Sequence, residues 1–289
     1  MTRLPVRQTG GARRRRAQRR ASSRLSPRRA LAALVMVVAG AATWGVAASP
    51  AFGVRATDVS GVAVTTDAEV EAVLALGSPP PNAFTLATDK LRSGLEAIPS
   101  VARADVRVSL PGTLRVRIVE RTPILAWRAG AALLLVDGDG KVIADAGLAD
   151  ATATARAVAA GLPVVDDRRV PVTPAAGVGA EAQPLPVVGG QLGPIELDVA
   201  TRLLALRPAD VGSSAAGLQL RLDDEAGWTI SPTVDRPWTA VFGFYSPTLR
   251  PADLVPQQVR LLRSLLAGRE AKLLRIVLAD GAHGTYTTR

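Results

Sequence analysis

The sequence predicts an α+β protein with a single transmembrane helix, a β-α-α-β-β unit behind it, and a second mixed, β-rich domain. Three observations predict this. An arginine tail runs straight into an uncharged apolar segment. Two helical apolar patterns and two alternating ones follow it. The remainder mixes hairpin signals with two amphipathic stretches of helical period.

Residues 1–29 hold eleven arginines and no acidic residue, and residues 30–54 carry no charge. Of the 35 basic and 25 acidic residues, removing the tail leaves 24 against 25, so the net charge of +10 belongs to the tail. A helix needs about 20 apolar residues to cross the hydrocarbon core. Residues 30–49 supply them through Leu31, Leu34, Val35, Met36, Val37, Val38, Trp44 and Val46, with Phe52 and Val54 as an extension. Arginine and lysine excess stays on the cytoplasmic side. The expected topology is therefore single-pass type II: a disordered basic cytoplasmic tail over 1–29, a transmembrane anchor over 30–54, and 55–289 outside the cell membrane. Trp44 and Phe52 are placed near the outer interface, where aromatic rings are favoured.

Two readings compete. A secretory signal would be cut among Ala47, Ala48, Ser49 and Ala51, but its apolar stretch is shorter and its basic region more compact than here. A nucleic-acid arm would use the arginines on phosphates, yet the tail has no aromatic residue on which to stack bases. An uncleaved anchor with no nucleic-acid partner is the expectation, the tail acting as an orientation signal that also touches anionic lipid.

Residues 55–121 form the first outside unit. A short strand around Val59 and Val62 opens it. Thr66-Asp67-Ala68-Glu69 is a capping box, and Val70, Val73 and Leu74 follow at helical spacing up to Gly77. Phe84 and Leu86 are expected to plug the core beneath the loop at 78–82. A second helix from Thr88 places Leu91, Leu95 and Ile98 on one face and stops at Pro99. Two alternating runs, 105–110 and 114–118, then make a hairpin. A Pro111-Gly112-Thr113 loop pairs Leu110 with Leu114, Val108 with Val116 and Val106 with Ile118; a one-residue slip would turn every side chain to the wrong face. That register sets Arg107 opposite Arg117, with Arg115 and Arg103 nearby. The face is either solvated or a basic surface for an acidic partner.

The order β-α-α-β-β behind an anchor resembles the POTRA domain of the FtsQ/DivIB family of bacterial division proteins. Val59-Ser60-Gly61 is similar to the "V-x-G" that ends the family's opening strand, and residues 95–106 to its "L-x-x-I-P-x-V-x-x-A-x-V" run. Pro111-Gly112-Thr113-Leu114 followed by Val119-Glu120-Arg121-Thr122-Pro123 is similar to "P-x-T-L … V-x-E-R-x-P". The resemblance covers most of residues 30–289.

Residues 122–289 make the second, β-rich domain. Strands are expected at 124–128 and 133–136. Asp137-Gly138-Asp139-Gly140 is a hairpin turn, since a calcium loop needs a further carboxylate or amide where Lys141 stands. Leu162-Pro163-Val164 and Leu185-Pro186-Val187-Val188 both resemble the family's "L-P-v" signature, and the stretch 165–184 between them reads as a flexible insertion. Helices over 195–206 and 253–266 alternate with strands at 217–222, 227–231, 241–244, 272–279 and 283–288. The family's "D-L-R" before the last hairpin appears here as Val277-Leu278-Ala279.

The composition argues against chemistry. The chain has one histidine and no cysteine, so no disulfide frame and no thiol site is available. Asp223-Asp224-Glu225 reads as a solvated turn, His283 as a strand-end residue, and Trp127, Trp228 and Trp238 as packing residues. No catalytic residue, cofactor or metal site is expected. The final strand offers backbone groups if it lies at a sheet edge. The resemblance implies such a use: a scaffold that binds FtsB- and FtsL-like divisome proteins through Thr285, Tyr286 and Thr287 at the division septum, with Arg107, Arg115 and Arg117 as a second contact surface. The alternative is another POTRA-containing envelope protein acting in secretion or outer-membrane assembly.

Overall fold

The structure, a computed structural model, describes residues 26–77, 80–170, 185–234, 238–248 and 250–289. The described residues divide into two units, one ending at Ser49 and one running from Pro50 to Arg289. The first contains α1 (Pro27–Ala47), which opens on a proline at its first turn and carries no acidic residue. It has 21 residues and a mean hydropathy of 2.0, long and apolar enough to cross a membrane. The arginine tail up to residue 25, with its proposed lipid contact, lies outside the described residues.

The helix ends earlier than the apolar run does. Pro50–Phe52 is a single 3₁₀ turn of the second unit, and proline has no N–H with which to continue an α-helix. Val54 is buried in the core behind it. The Phe52 ring stands edge-on to Phe84 with centroids 5.2 Å apart. Neither Phe52 nor Val54 extends the span, and Phe84, 55% exposed, does not plug the core.

The second unit opens with β1 (Ala56–Ser60), α2 (Asp67–Leu74), α3 (Thr88–Glu96), β2 (Val101–Ser109) and β3 (Thr113–Glu120). The capping box forms: Thr66 accepts from the Glu69 amide and the Glu69 side chain accepts from the Thr66 amide. α2 stops at Leu74, before Gly77. Val70, Leu74, Leu95, Ile98, Leu114, Val116 and Ile118 meet in one core. The sheet order is β1-β3-β2, with β1 parallel and β2 antiparallel to β3.

The hairpin register differs from the expected one by two residues. Val106 pairs with Val116, Val108 with Leu114 and Ser109 with Thr113, leaving Leu110-Pro111-Gly112 as the loop. Arg107 therefore faces Arg115, and Arg117 faces Asp105. A shift of two keeps each side chain on its face, so alternation alone does not separate the two registers. The entering chain does. The Arg55 amide donates to the Gly112 carbonyl at 2.8 Å. A Cβ on Gly112 would lie 2.3 Å from the Gly53 carbonyl oxygen, so a glycine must stand there.

The rest of the unit is a nine-stranded sheet of order β12-β11-β10-β9-β8-β7-β4-β5-β6. Its strands are β4 (Pro123–Ala129), β5 (Ala132–Asp137), β6 (Val142–Asp145), β7 (Val164–Asp167), β8 (Leu218–Asp223), β9 (Gly227–Pro232), β10 (Thr239–Gly243), β11 (Leu273–Leu278) and β12 (Gly284–Thr288). Three parallel junctions, β4–β7, β7–β8 and β10–β11, are crossed by α4 (Ala153–Gly161), α5 (Pro194–Leu204) and α6 (Val255–Leu266), as parallel pairing requires a long connection. α5 and α6 pack on one face through Val199, Leu203, Leu262 and Leu266. On the other face Ala155 and Ala159 of α4 meet Leu135 and Ile143, together with Val64 from the loop before α2.

Val164–Asp167 is therefore an inner strand, between β4 and β8, and not part of a surface insertion. Residues 171–184, where the rest of that insertion was expected, lie outside the described residues.

Candidate partner-binding edge

The proposed contact residues sit on β12, at one end of the nine-stranded order. Thr285 pairs with Val277, Tyr286 with Ile276 and Thr287 with Arg275, all antiparallel. Every residue of β12 is exposed. On its other side β12 has no strand neighbour among the described residues, so half its backbone donors and acceptors face outward.

Local chemistry shapes the turn that sets this strand. Asp280 accepts from the Ala282 amide at 2.7 Å and the His283 amide at 2.6 Å, and from His283 Nδ1 at 2.8 Å. The Ala282 amide and then His283 hold its carboxyl down at about 2. A Cβ on Gly281 would sit 2.4 Å from Cβ of Gln257, so this turn lies directly against α6. His283 is thus a turn residue at the strand's start.

Behind the edge is a buried polar cluster that the sequence did not reveal. Gln258, fully buried on α6, donates from Nε2 to the carbonyls of Leu278 at 2.9 Å and Phe242 at 3.3 Å. Its Oε1 accepts the Tyr245 hydroxyl at 2.6 Å. Burial pushes the Tyr245 hydroxyl pKa upward against the nearby Arg250 charge. The Arg250 guanidinium lies 5.7 Å from the Tyr245 ring centre and also donates to the Leu278 carbonyl. Two side chains thus hold the end of β11, the strand on which β12 is aligned. A polar residue among the buried positions of an amphipathic helix was the available signal.

Arg107, Arg115 and Arg117 lie on the separate three-stranded sheet and are not brought together with Thr285–Thr287. Their charge is partly answered: Arg107 pairs with Asp105 at 2.8 Å, Asp58 stands beside Arg115 in the register, and Asp105 beside Arg117. That face is mixed in charge rather than uniformly basic.

Several acidic residues elsewhere are committed to structure. Asp137 takes the amides of Asp139 and Lys141 and pairs with Arg121 at 2.8 Å. Asp223 takes the amides of Glu225 and Ala226, closing the β8–β9 turn. A cleft of about 540 Å³ is lined by Arg169, Glu196, Trp228 and Tyr245, but Arg169 and Glu196 are paired to each other at 2.9 Å. Among the described residues no three His, Cys, Asp or Glu side chains are grouped to hold a metal ion. Trp127 and Trp228 pack edge-to-face at 5.9 Å within the main core. The arrangement presents a strand for pairing.

The FtsQ-type POTRA domain family matches residues 52–121, which spans β1 to β3. The chain is 31% identical to the cell division protein FtsQ of Chloroflexus aggregans over 199 residues, 68% of this chain and 66% of that protein. It is 26% identical to FtsQ of Chloroflexus aurantiacus over 258 residues, covering 89% and 78% of the two chains. FtsQ of Jannaschia sp. is 41% identical over 98 residues, 34% of this chain, and the match spans only 31% of that relative's length.

Proposed function

Because the chain belongs to the FtsQ family of cell division proteins, we propose that it is a non-catalytic, single-pass scaffold of the division machinery that links early and late divisome proteins at the septum. The observation that carries this reading is the sequence of parts. One apolar helix precedes an FtsQ-type POTRA unit, and the β-rich sheet behind it finishes in an exposed edge strand. The arginine tail stays inside and the units over 55–121 and 122–289 lie outside, as the positive-inside rule requires. FtsB- and FtsL-like proteins add a strand to β12 at Thr285, Tyr286 and Thr287, taking affinity from main-chain bonds and specificity from alternate side chains. Arg107, Arg115 and Arg117 form a secondary surface for acidic segments.

A Tyr286→Pro change removes a donor from β12 and tests the edge directly. Full-length protein carrying it should fail to capture FtsB- and FtsL-like proteins on co-expression, while the three-stranded unit keeps its hydrogen-exchange protection. Undiminished capture would sink the assignment. A tagged wild-type copy should gather at the septum of dividing cells; a uniform envelope signal would count against the division role itself.

A further inference from the structure

The other sheet has its own free edge, and it carries a different chemistry. β1 stands at one end of the order β1-β3-β2, and all five of its residues are exposed. Among the described residues nothing pairs with its outer side. Beside it, between β1 and α2, runs an apolar groove of about 320 Å³, floored by Val59, Val70, Leu74 and Leu76. Val59 is 38% exposed there, a branched apolar side chain left on an unpaired edge. Natural edges are usually blunted by charged side chains, proline or a bulge; β1 (Ala-Thr-Asp-Val-Ser) has neither proline nor bulge, and its one charge, Asp58, stands beside Arg115 of β3.

The rim of the groove identifies its occupant. Asp67 and Glu71 both line it, four residues apart on α2, and no basic side chain does. Like charges at this spacing on a helix repel by a few tenths of a kcal/mol. Neither carboxylate has an ion-pair partner among the described residues. A cation seated between them relieves that repulsion. We propose that the β1 edge and its groove bind an extended segment of another protein, with apolar side chains at alternate positions and a lysine or arginine that meets Asp67 and Glu71. The incoming strand lies about 4.8 Å outside β1. Its backbone pairs with β1, its apolar side chains enter beside Thr57 and Val59, and its basic residue reaches the α2 rim. A second copy of this chain is disfavoured because symmetric β1–β1 pairing sets two acidic rims together. Anionic lipid is disfavoured for the same reason. The site does not depend on β12.

The test uses full-length protein in nanodiscs of zwitterionic lipid and three synthetic peptides. One alternates valine and threonine and ends in lysines, the second ends in glutamates instead, and the third is the lysine peptide N-methylated at alternate residues. The lysine peptide should bind about tenfold more tightly than the glutamate one, as two exposed charge contacts supply. N-methylation should abolish binding. Glu71→Lys should erase or invert the charge preference, and the milder Asp67→Asn should reduce it with α2 intact by circular dichroism. A photo-crosslinker at Thr57 should label the peptide. Equal affinities for the three peptides, indifference to Glu71→Lys and Asp67→Asn, or labelling confined to 284–288 would overturn the proposal. So would dimerisation that crosslinks Thr57 to a second copy and excludes peptide.

Discussion

The indole N–H of Trp127 donates to Oδ2 of Asp167 at 2.9 Å, joining β4 to β7 in the middle of the nine-stranded sheet. The same carboxylate takes the Arg169 guanidinium at 2.7 Å, and Arg169 reaches on to Glu196 of α5 at 2.9 Å. Burial lowers the arginine pKa, but Asp167 and Glu196 more than offset it and the net shift is upward. Asp167→Ala leaves a buried indole donor and a nearly buried guanidinium short of an acceptor. Loss of one partner from such a pair costs about 3–5 kcal/mol. The urea midpoint should fall accordingly, and Asp167→Asn, which keeps an acceptor for the indole, should fall less.

Glu120 joins the two sheets of the second unit. Its carboxylate accepts the amides of Ala63, Val64 and Thr65 at 2.8–3.1 Å, while Val64 packs against Leu135 and Ile143 and the Ala63 carbonyl accepts from Thr152 at 2.7 Å. Glu120→Ala orphans three donors at a cost of about 1–3 kcal/mol. Hydrogen exchange should speed up at residues 63–65 before it does at Leu114 or Val116.

Glu270 sets an acid limit on stability. Burial raises its pKa, but hydrogen bonds from Ser213, Trp238 and Ser214 outweigh this and bring it from 4.5 to about 2. A depressed carboxylate contributes stability above its unfolded pKa and loses it as pH falls through the folded one. Thermal unfolding followed by tryptophan fluorescence should show Tm declining from about pH 4.5 towards 2. Glu270→Gln should lower Tm at neutral pH and flatten that decline.

Gly112→Val places a side chain against the Gly53 carbonyl oxygen, which a Cβ would already approach to 2.3 Å. Overpacking of this kind costs about 1–3 kcal/mol. The amides of Arg55 and Ala56, both donors to Gly112, should lose protection first. Unchanged exchange at these two amides would contradict the close approach of the two glycines.

Much of this fold is legible in local chemistry. Thr66 and Glu69 announce a helix start because a hydroxyl and a carboxylate at that spacing satisfy free amides. Leu91, Leu95 and Ile98 mark a face because helical period brings them together. The misread strand is instructive. Asp166, Asp167, Arg168 and Arg169 look like a solvated loop, yet Asp167 is neutralised by Arg169 and accepts the Trp127 indole N–H, while Asp166 pairs with Arg168 at 3.0 Å. Charge excludes a short inner strand only when its partners are unknown. The alanine-rich stretch that becomes α4 carries only a weak signal, because Ala155 and Ala159 bury with little contrast to mark a face.

By itself the sequence determined the arginine-led apolar helix, the capped helix behind it, the two alternating runs and the terminal strand bearing Thr285, Tyr286 and Thr287. Each follows from interactions within a few residues. Only the tertiary structure decided that Arg107 faces Arg115, that β7 lies between β4 and β8, and that β1 and β12 are left at edges. A side-chain period of two records which face is buried, not which strand lies alongside. The neighbour is chosen by long-range closure: crossover helices place β7, and the approach of Gly53 to Gly112 sets where β3 begins.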